Sequence, residues 1–565
     1  MLVAIAIKVE VVAVSRLCRR LLAIATIVTV AMLSFAMLPG MARAAGTGAI
    51  TVDGTVATRY DAHQLFSATV VDDADADQKV ATDVAWANDT VRQAALPVLH
   101  DAGLDNSAST AQEAAEWMNA DGHITTTLAA KLARVICNAG APSVALNAGA
   151  ATELPCGYWL IVADDDAIAQ GEAGTAPIMA LVGGSAVTVK PKAATPKVAK
   201  HVLEDSTAAW QKAADATVAD DLYWRLSATV PAGLTAYDTY TVRFVDTMSA
   251  GLDPSKVAAS MRVYVAAGMD GGFDTVSADK DGRVGTDPAK GWTDITAQCG
   301  VSVDGKTFTV RTGDLIAALG GADAFTAGAR VVAVYNAPLN SACNHGIAKG
   351  NPNEVYLRYP RSPLADQSGD AGFTRTPSDD ACAYTWDLAL TKRGSDGDKP
   401  LAGAVLSIAD DRGRTLAADG TWDAEGKATV TTGEDGRVTV SGVDSGKLEV
   451  RELKAPKGYT AFEGTRSVTV KAEGLDVDQV AAAKPKLTIT AESPLRADSA
   501  DGSTGSLEAS IINTPTGTPP SITTGGFMPL TGDMAMYAVA AAAVAGAALI
   551  VVALLIKRGG GSHKE

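Results

Sequence analysis

Apolar and polar residues alternate in short runs along most of this chain, and a long uncharged apolar stretch lies near each end. Arg16, Arg19 and Arg20 precede the first stretch, residues 21–38, which is followed by Ala42, Arg43 and Ala44. Basic, apolar and small-residue segments in that order predict an export signal cut after Ala44. The second stretch, residues 534–556, is long enough to cross a membrane as a helix. Lys557 and Arg558 follow it and predict a stop on the cytoplasmic side. Between these ends, strand patterns at 49–52, 65–71, 158–162 and 187–189 mix with helical patterns at 111–118 and 126–136. Both helical segments open on Ser/Thr residues suited to N-caps. From residue 196 onward the pattern is β throughout, clearest at 221–230 and 240–247, with Asp-Gly and Ser-Gly turn signals further on. Short alternating strands of this kind predict immunoglobulin-like sandwiches.

The expected architecture is therefore mainly β. It has a signal peptide (1–44), an α+β domain (45–190) and two tandem immunoglobulin-like β-sandwich domains (196–379 and 384–514). A Pro/Thr/Gly spacer (515–527) leads to a terminal segment (528–565) containing the transmembrane helix.

Side chains two apart on a strand share a face, so a polar residue in phase with an apolar set points inward. In the last sandwich, Leu388 and Leu390 are followed in phase by Lys392, and Leu448 and Val450 by Glu452. Leu507, Ala509 and Ile511 are followed by Asn513. Unpaired buried charges are very costly, so the three should meet. Burial disfavours both charged forms, lowering the lysine and raising the glutamate. A neutral Lys392 amine is a nucleophile, and a protonated Glu452 can hydrogen-bond the Asn513 carbonyl and relay protons to departing ammonia. The product is an intramolecular isopeptide bond between Lys392 and Asn513, with Glu452 catalytic. The alternative for the same residues is a buried ion pair with Asn513 as a hydrogen-bond partner. The preceding sandwich repeats the pattern. Val198, Lys200 and Val202 share a face, as do Tyr240, Val242, Phe244 and Asp246, and Asn353, Val355, Leu357 and Tyr359. Lys200 would be the nucleophile, Asp246 the catalytic acid and Asn353 the acceptor, with Asn351 an alternative acceptor and a strand-ending turn the alternative role for Asp246.

Several stretches resemble one family. Met528, Pro529, Leu530, Thr531 and Gly532, followed by the apolar span and basic tail, resemble the LPXTG-type cell-wall sorting signal of Gram-positive surface proteins. That resemblance implies a sortase whose cysteine attacks the Thr531 carbonyl and cuts before Gly532. Met528 stands where the usual leading leucine would be. LTKRG (390–394), KPLAGA (399–404), ELKAPKGY (452–459) and INT (512–514) resemble the B-type repeat of collagen adhesins found in pilins, with Leu453 in place of the usual threonine. ATVPAGL (228–234), VDT (245–247) and NPNEV (351–355) resemble the isopeptide-forming domain of pilin shaft proteins. YDAHQLF (60–66) and GYWLI (157–161) are similar to their amino-terminal domain. Together these imply a sortase-assembled pilin shaft subunit. Shaft subunits carry a linking lysine at the end of the first domain, and VKPK (189–192) makes Lys192 that candidate, with Lys190 and Lys197 nearby. The implied partners are sortase, further copies of the chain and a peptidoglycan precursor, with minor pilins or a host surface ligand as additional ones. The implied location is the cell wall, with membrane contact only before sorting.

Charge and composition narrow this further. Lys plus Arg number 48 against 64 Asp plus Glu, which leaves no electrostatic footprint for nucleic acid. Five cysteines follow Ala44, at 137, 156, 299, 343 and 382, without a CxxC pair, so neither a zinc cluster nor any other cofactor is expected. Cys137 and Cys156 are the nearest candidates for a disulfide. Asp279, Lys280, Asp281 and Gly282 are faintly like a calcium loop but lack its ligand spacing, so a polar hairpin is expected. The Asp-Ala run at Asp73 reads as a solvated loop. No HExxH, GxSxG or P-loop motif occurs, and no enzyme activity is expected beyond self-directed bond formation. A monomeric wall-anchored adhesin shares all these features except the linking lysine.

Overall fold

The computed structural model describes residues 46–517, apart from 74–77, 121, 193–194 and parts of 270–290. The expected export signal, the spacer beyond Gly517, the sorting motif from Met528 to Gly532 and the terminal helix lie outside the described residues, as does the stretch 279–283.

The first domain holds two sheets. Thr47–Val52 pairs with Ala151–Pro155 and, in parallel, with Val187–Val189. A second sheet centres on Arg59–Asp73 and Gly157–Ala163, with Gln78–Trp86, Ile178–Val182 and Val144–Asn147 around them. Three helices, Asp89–Asp101, Ala111–Asn119 and Thr126–Asn138, bury Leu99, Met118, Leu132 and Ile136 in the same apolar cluster as Leu65, Phe66 and Leu160. The latter two match the helical patterns in the sequence. Their N-caps are Thr110, which forms a full capping box with Glu113, and Thr125. The first was not read from the sequence. Pro97 lies inside it, and a proline removes a helix hydrogen bond and so masks the periodic signal. Arg59–Asp73 and Gln78–Trp86 are antiparallel up to the pair Asp73 with Gln78, and the run 74–77 lies outside the described residues.

The second domain is a sandwich of a six-stranded and a seven-stranded sheet. Lys197–Glu204, Tyr223–Val230 and Ala329–Asn336 are neighbours in the first. Arg243–Met248 and Asn351–Pro360 are antiparallel neighbours in the second. Asp379–Tyr384 is the last strand of that sheet and bridges the gap expected at 379–384 before Trp386–Gly394 opens the third domain. Val276–Ala278 and Val284–Thr286 pair antiparallel.

The third domain is again two sheets. Trp386–Gly394, its first strand, lies parallel to Ser506–Pro515, its last. Gly446–Lys454 belongs to the facing sheet, between Val405–Ala409 and Thr465–Glu473. The inward sets follow the period of two. Leu448 and Val450 are buried, as are Leu507, Ala509 and Ile511.

All five described cysteines are free, so Cys137 and Cys156 do not form the bridge considered from sequence. The Cys137 sulfur lies 3.6 Å from His63 Nε2 at the end of its helix. Cys156 is buried at the bend before Gly157–Ala163, where a Cβ on Gly183 would come within 2.8 Å of its sulfur.

Polar contacts tie the second and third domains together. Arg414 grips Asp220 through both terminal nitrogens, at 2.5 and 2.8 Å. Trp386 Nε1 donates to Asp215 at 2.6 Å. His345 Nδ1 lies 2.9 Å from Asp387 Oδ1, outside directional hydrogen-bond geometry, so the contact is ionic. Asp387 and the nearby Cys343 sulfur push the His345 pKa up to about 10, against the opposing effect of burial. A raised histidine stabilises fully below its unfolded pKa near 6.5, and that stabilisation disappears as pH rises through the folded value. The ectodomain should therefore lose thermal stability between roughly pH 7 and 10, and His345→Gln should flatten that slope. Melting curves across the range, with and without the substitution, check it. Equal slopes would remove His345 from the account.

Candidate functional site: two buried Lys–acid–Asn clusters

In the third domain, the period-two argument places Lys392, Glu452 and Asn513 on three inward faces, and the structure brings the three together. Lys392 is 0 % exposed, Asn513 1 % and Glu452 7 %. Lys392 and Asn513 sit on adjacent parallel strands, where Lys392 is level with Ile511 and Gly394 with Asn513. The two side chains thus meet along a diagonal two residues long. Glu452 reaches across from the opposite sheet. Lys392 Nζ donates to Asn513 Oδ1 at 2.5 Å and lies 2.9 Å from Glu452 Oε1. Asn513 Nδ2 donates to the same Oε1 at 2.9 Å. Glu452 Oε2 accepts from the Phe462 backbone N–H at 3.0 Å, and the Phe462 ring lies 5.5 Å from Nζ.

One detail differs from the sequence reading. The glutamate faces the asparagine nitrogen, not its carbonyl oxygen, which faces the lysine. A single carboxylate oxygen thereby touches both the attacking and the departing nitrogen. Burial lowers the Lys392 pKa to about 8, although Glu452 opposes the shift. Near neutral pH, such a drop raises the neutral-amine fraction by roughly two orders of magnitude.

The second domain assembles a related cluster by a different route. Lys200, Asp246, Asn353 and Tyr335 are all 0 % exposed. Asp246 lies within Arg243–Met248 rather than in a turn, and pairs in register with Val355, so Asn353 is one diagonal step away. Lys200 comes from the facing sheet and forms an ion pair with Asp246. Here, then, lysine and asparagine lie on opposite sheets, whereas in the third domain they share one. Burial lowers the Lys200 pKa to about 8, against the pull of Asp246. Burial also raises Asp246 above the usual carboxylate range, against Lys200 and Tyr335. Both shifts favour the neutral pair, an amine and a carboxylic acid.

Tyr335 was not read from the sequence. Its hydroxyl lies 2.9 Å from Lys200 Nζ, 3.0 Å from Asp246 Oδ2 and 2.8 Å from Asn353 Nδ2. Its strand, Ala329–Asn336, is buried at every position, so alternation gives no clue to which polar group matters. Asn351 is fully engaged elsewhere. Its amide bonds the Asn344 and Ala383 carbonyls and accepts from the Asn344 N–H, which fixes the loop before the strand. Lys192 is exposed, between Val187–Val189 and Lys197–Glu204. Lys190 is exposed too and lies 3.6 Å from Asp53.

Fold and clusters together define a protein of tandem β domains, two of which carry a buried lysine, acid and asparagine in contact. Residues 387–484 match the model of the SpaA family, a prealbumin-like fold domain. Among curated proteins, the chain is similar to the trypsin-resistant surface T6 protein of Streptococcus pyogenes serotype M6, at 30 % identity over 143 residues. That match spans about a quarter of either protein, 24 % of each. Among solved structures, the T6 backbone pilin of the same serotype aligns at 16 % identity, over 84 % of this chain and 99 % of that one, with a TM-score of 0.45. The full-length major pilin SpaD of Corynebacterium diphtheriae aligns at 15 % identity, over 84 % and 98 %, with a TM-score of 0.39.

Proposed function

We propose that this protein is a structural subunit of a covalently polymerised surface pilus, locked internally by Lys392–Asn513 and Lys200–Asn353 isopeptide bonds. The observation that carries the reading is the pair of fully buried clusters, each with a lysine lowered to about 8 beside an acid and an asparagine. A dry core with a depressed lysine is an expensive arrangement for an ion pair alone, and is what amide formation needs. Glu452 and Asp246 act as the proton-transferring groups. Polymerisation joins the Thr531 carbonyl of one subunit, through sortase, to Lys192 of the next. Contacts of that head-to-tail kind do not close and so build a filament. Exposure of Lys192 supports its role, and the last subunit is passed to a peptidoglycan precursor on the cell wall. An exposed lysine at the end of the first domain favours the shaft over a monomeric adhesin.

Two measurements test this. The intact mass of the recombinant ectodomain should fall short of the sequence mass by two ammonia molecules, one per bond. A boiled denaturing gel of wall extract should show a high-mass ladder that collapses in Lys192→Ala. A full sequence mass would reject the internal bonds. A ladder unaffected by Lys192→Ala would move the linkage to another lysine, and a single wall-linked band in the unaltered strain would reject polymerisation.

A further inference from the structure

The two clusters move the same proton between different partners. In the third domain Glu452 Oε1 is 2.9 Å from both the lysine nitrogen and the asparagine nitrogen, so one atom can carry the proton from one to the other. In the second domain no carboxylate contact to the asparagine nitrogen exists among the hydrogen bonds of the cluster. Asn353 Nδ2 instead donates to Tyr335 at 2.8 Å, and Tyr335 in turn donates to Asp246 Oδ2 at 3.0 Å. Asp246 Oδ1 and Asn353 Oδ1 are both buried with no hydrogen-bond partner. Two acceptors stranded around one hydroxyl mark a cluster that is short of a proton, and such groups are costly to leave unmet.

We propose that Tyr335 is a catalytic residue of the second domain, the proton relay between the attacking nitrogen of Lys200 and the departing nitrogen of Asn353. This rests on the isopeptide reading above and assigns the second domain a four-residue machine where the third uses three. The Lys200 ammonium first gives a proton to Asp246, leaving a neutral amine and a carboxylic acid. The amine attacks Asn353 Cγ, forming the new C–N bond. The attacking nitrogen then passes its second proton to the Tyr335 oxygen, while the tyrosine hydroxyl gives its own to the departing nitrogen. The Cγ–Nδ2 bond breaks and ammonia leaves. One proton ends on Asp246, which starts as a carboxylate and finishes as an acid, and the phenol is regenerated without ever ionising. Desolvation and the Asp246 charge hold its pKa well above the ordinary tyrosine value, which suits a hydroxyl that exchanges protons but does not release one. The final acid supplies the donor that the stranded oxygens lack.

The test follows the Lys200–Asn353 cross-linked peptide by mass spectrometry during cell-free synthesis of the ectodomain, for the unaltered chain and for Tyr335→Phe. The Lys392–Asn513 peptide of the same molecules serves as the internal control for folding. Loss of a general acid–base group should slow the second-domain bond by about 100-fold or more, with the third-domain bond unchanged. Equal rates in both chains would overturn the relay. Absence of the peptide from the unaltered chain would instead overturn the isopeptide reading of this domain. Should Tyr335→Phe fail to fold, 3-fluorotyrosine at this position keeps the hydroxyl and changes its acidity. A changed rate then supports the relay, and an unchanged rate overturns it.

Discussion

Glu452→Gln should leave Lys392 and Asn513 unlinked and lower the melting temperature of the third domain by roughly 15–25 °C. The magnitude follows from the chain the bond closes. Lys392 and Asn513 are 121 residues apart, and they belong to the first and last strands of the domain. Cross-linking a loop of that size removes about 4–5 kcal/mol of unfolded-state entropy in the loop-closure model. Glutamine is chosen because it can still accept from the Phe462 N–H and fill the same space. It cannot take a proton from the lysine, so chemistry is lost while packing is kept. Intact mass and calorimetry on the same sample decide the matter. A variant that still sheds ammonia from this domain would remove Glu452 from the mechanism. One that loses the bond without losing stability would show that the cross-link serves only under force. Because the two strands are parallel neighbours, pulling on the chain ends would load the proposed bond before the sandwich hydrogen bonds.

Asp246→Ala should be far more damaging than Lys200→Met, although both should abolish the proposed Lys200–Asn353 bond. Removing the aspartate strands a lysine ammonium that is 0 % exposed, and breaking a buried pair from one side costs about 3–5 kcal/mol. Removing the lysine leaves a carboxyl that burial already holds above its ordinary range and that accepts from Tyr335. It can protonate and remain neutral, while methionine occupies the space of the lysine stem near Trp224. The Lys200→Met chain should consequently be more stable in mild acid than at neutral pH. A carboxyl with a raised folded pKa favours the folded state below its unfolded value and loses that advantage as pH rises through the folded one. Urea titrations of both variants at two pH values check the ranking. Equal destabilisation would mean that Lys200 is already neutral in the fold.

Lys392, Glu452 and Asn513 were legible because each ends a clean alternation, and one polar residue in phase with a buried set has a single physical meaning. The same holds for Asn353, whose strand alternates without a break. Tyr335 was illegible for the opposite reason. Both faces of its strand are covered, by Phe308 and Val310 on one side and by Tyr264 and Trp292 on the other, so every position is buried and none stands out. The helix Asp89–Asp101 was hidden by its internal proline. The cysteine spacing could not say whether two thiols would face each other.

The sequence by itself determined which side chains turn inward, since strand geometry makes that a matter of odd and even positions. It also set the number of sandwiches and supplied the lysines, acids and asparagines. Only the tertiary structure decided which oxygen meets which nitrogen. That choice depends on strand register and on how two sheets face each other, and these are set by packing among residues far apart in the chain. Hence Glu452 bridges both nitrogens directly, while Asp246 meets the lysine nitrogen and the hydroxyl of Tyr335, which comes from a third strand.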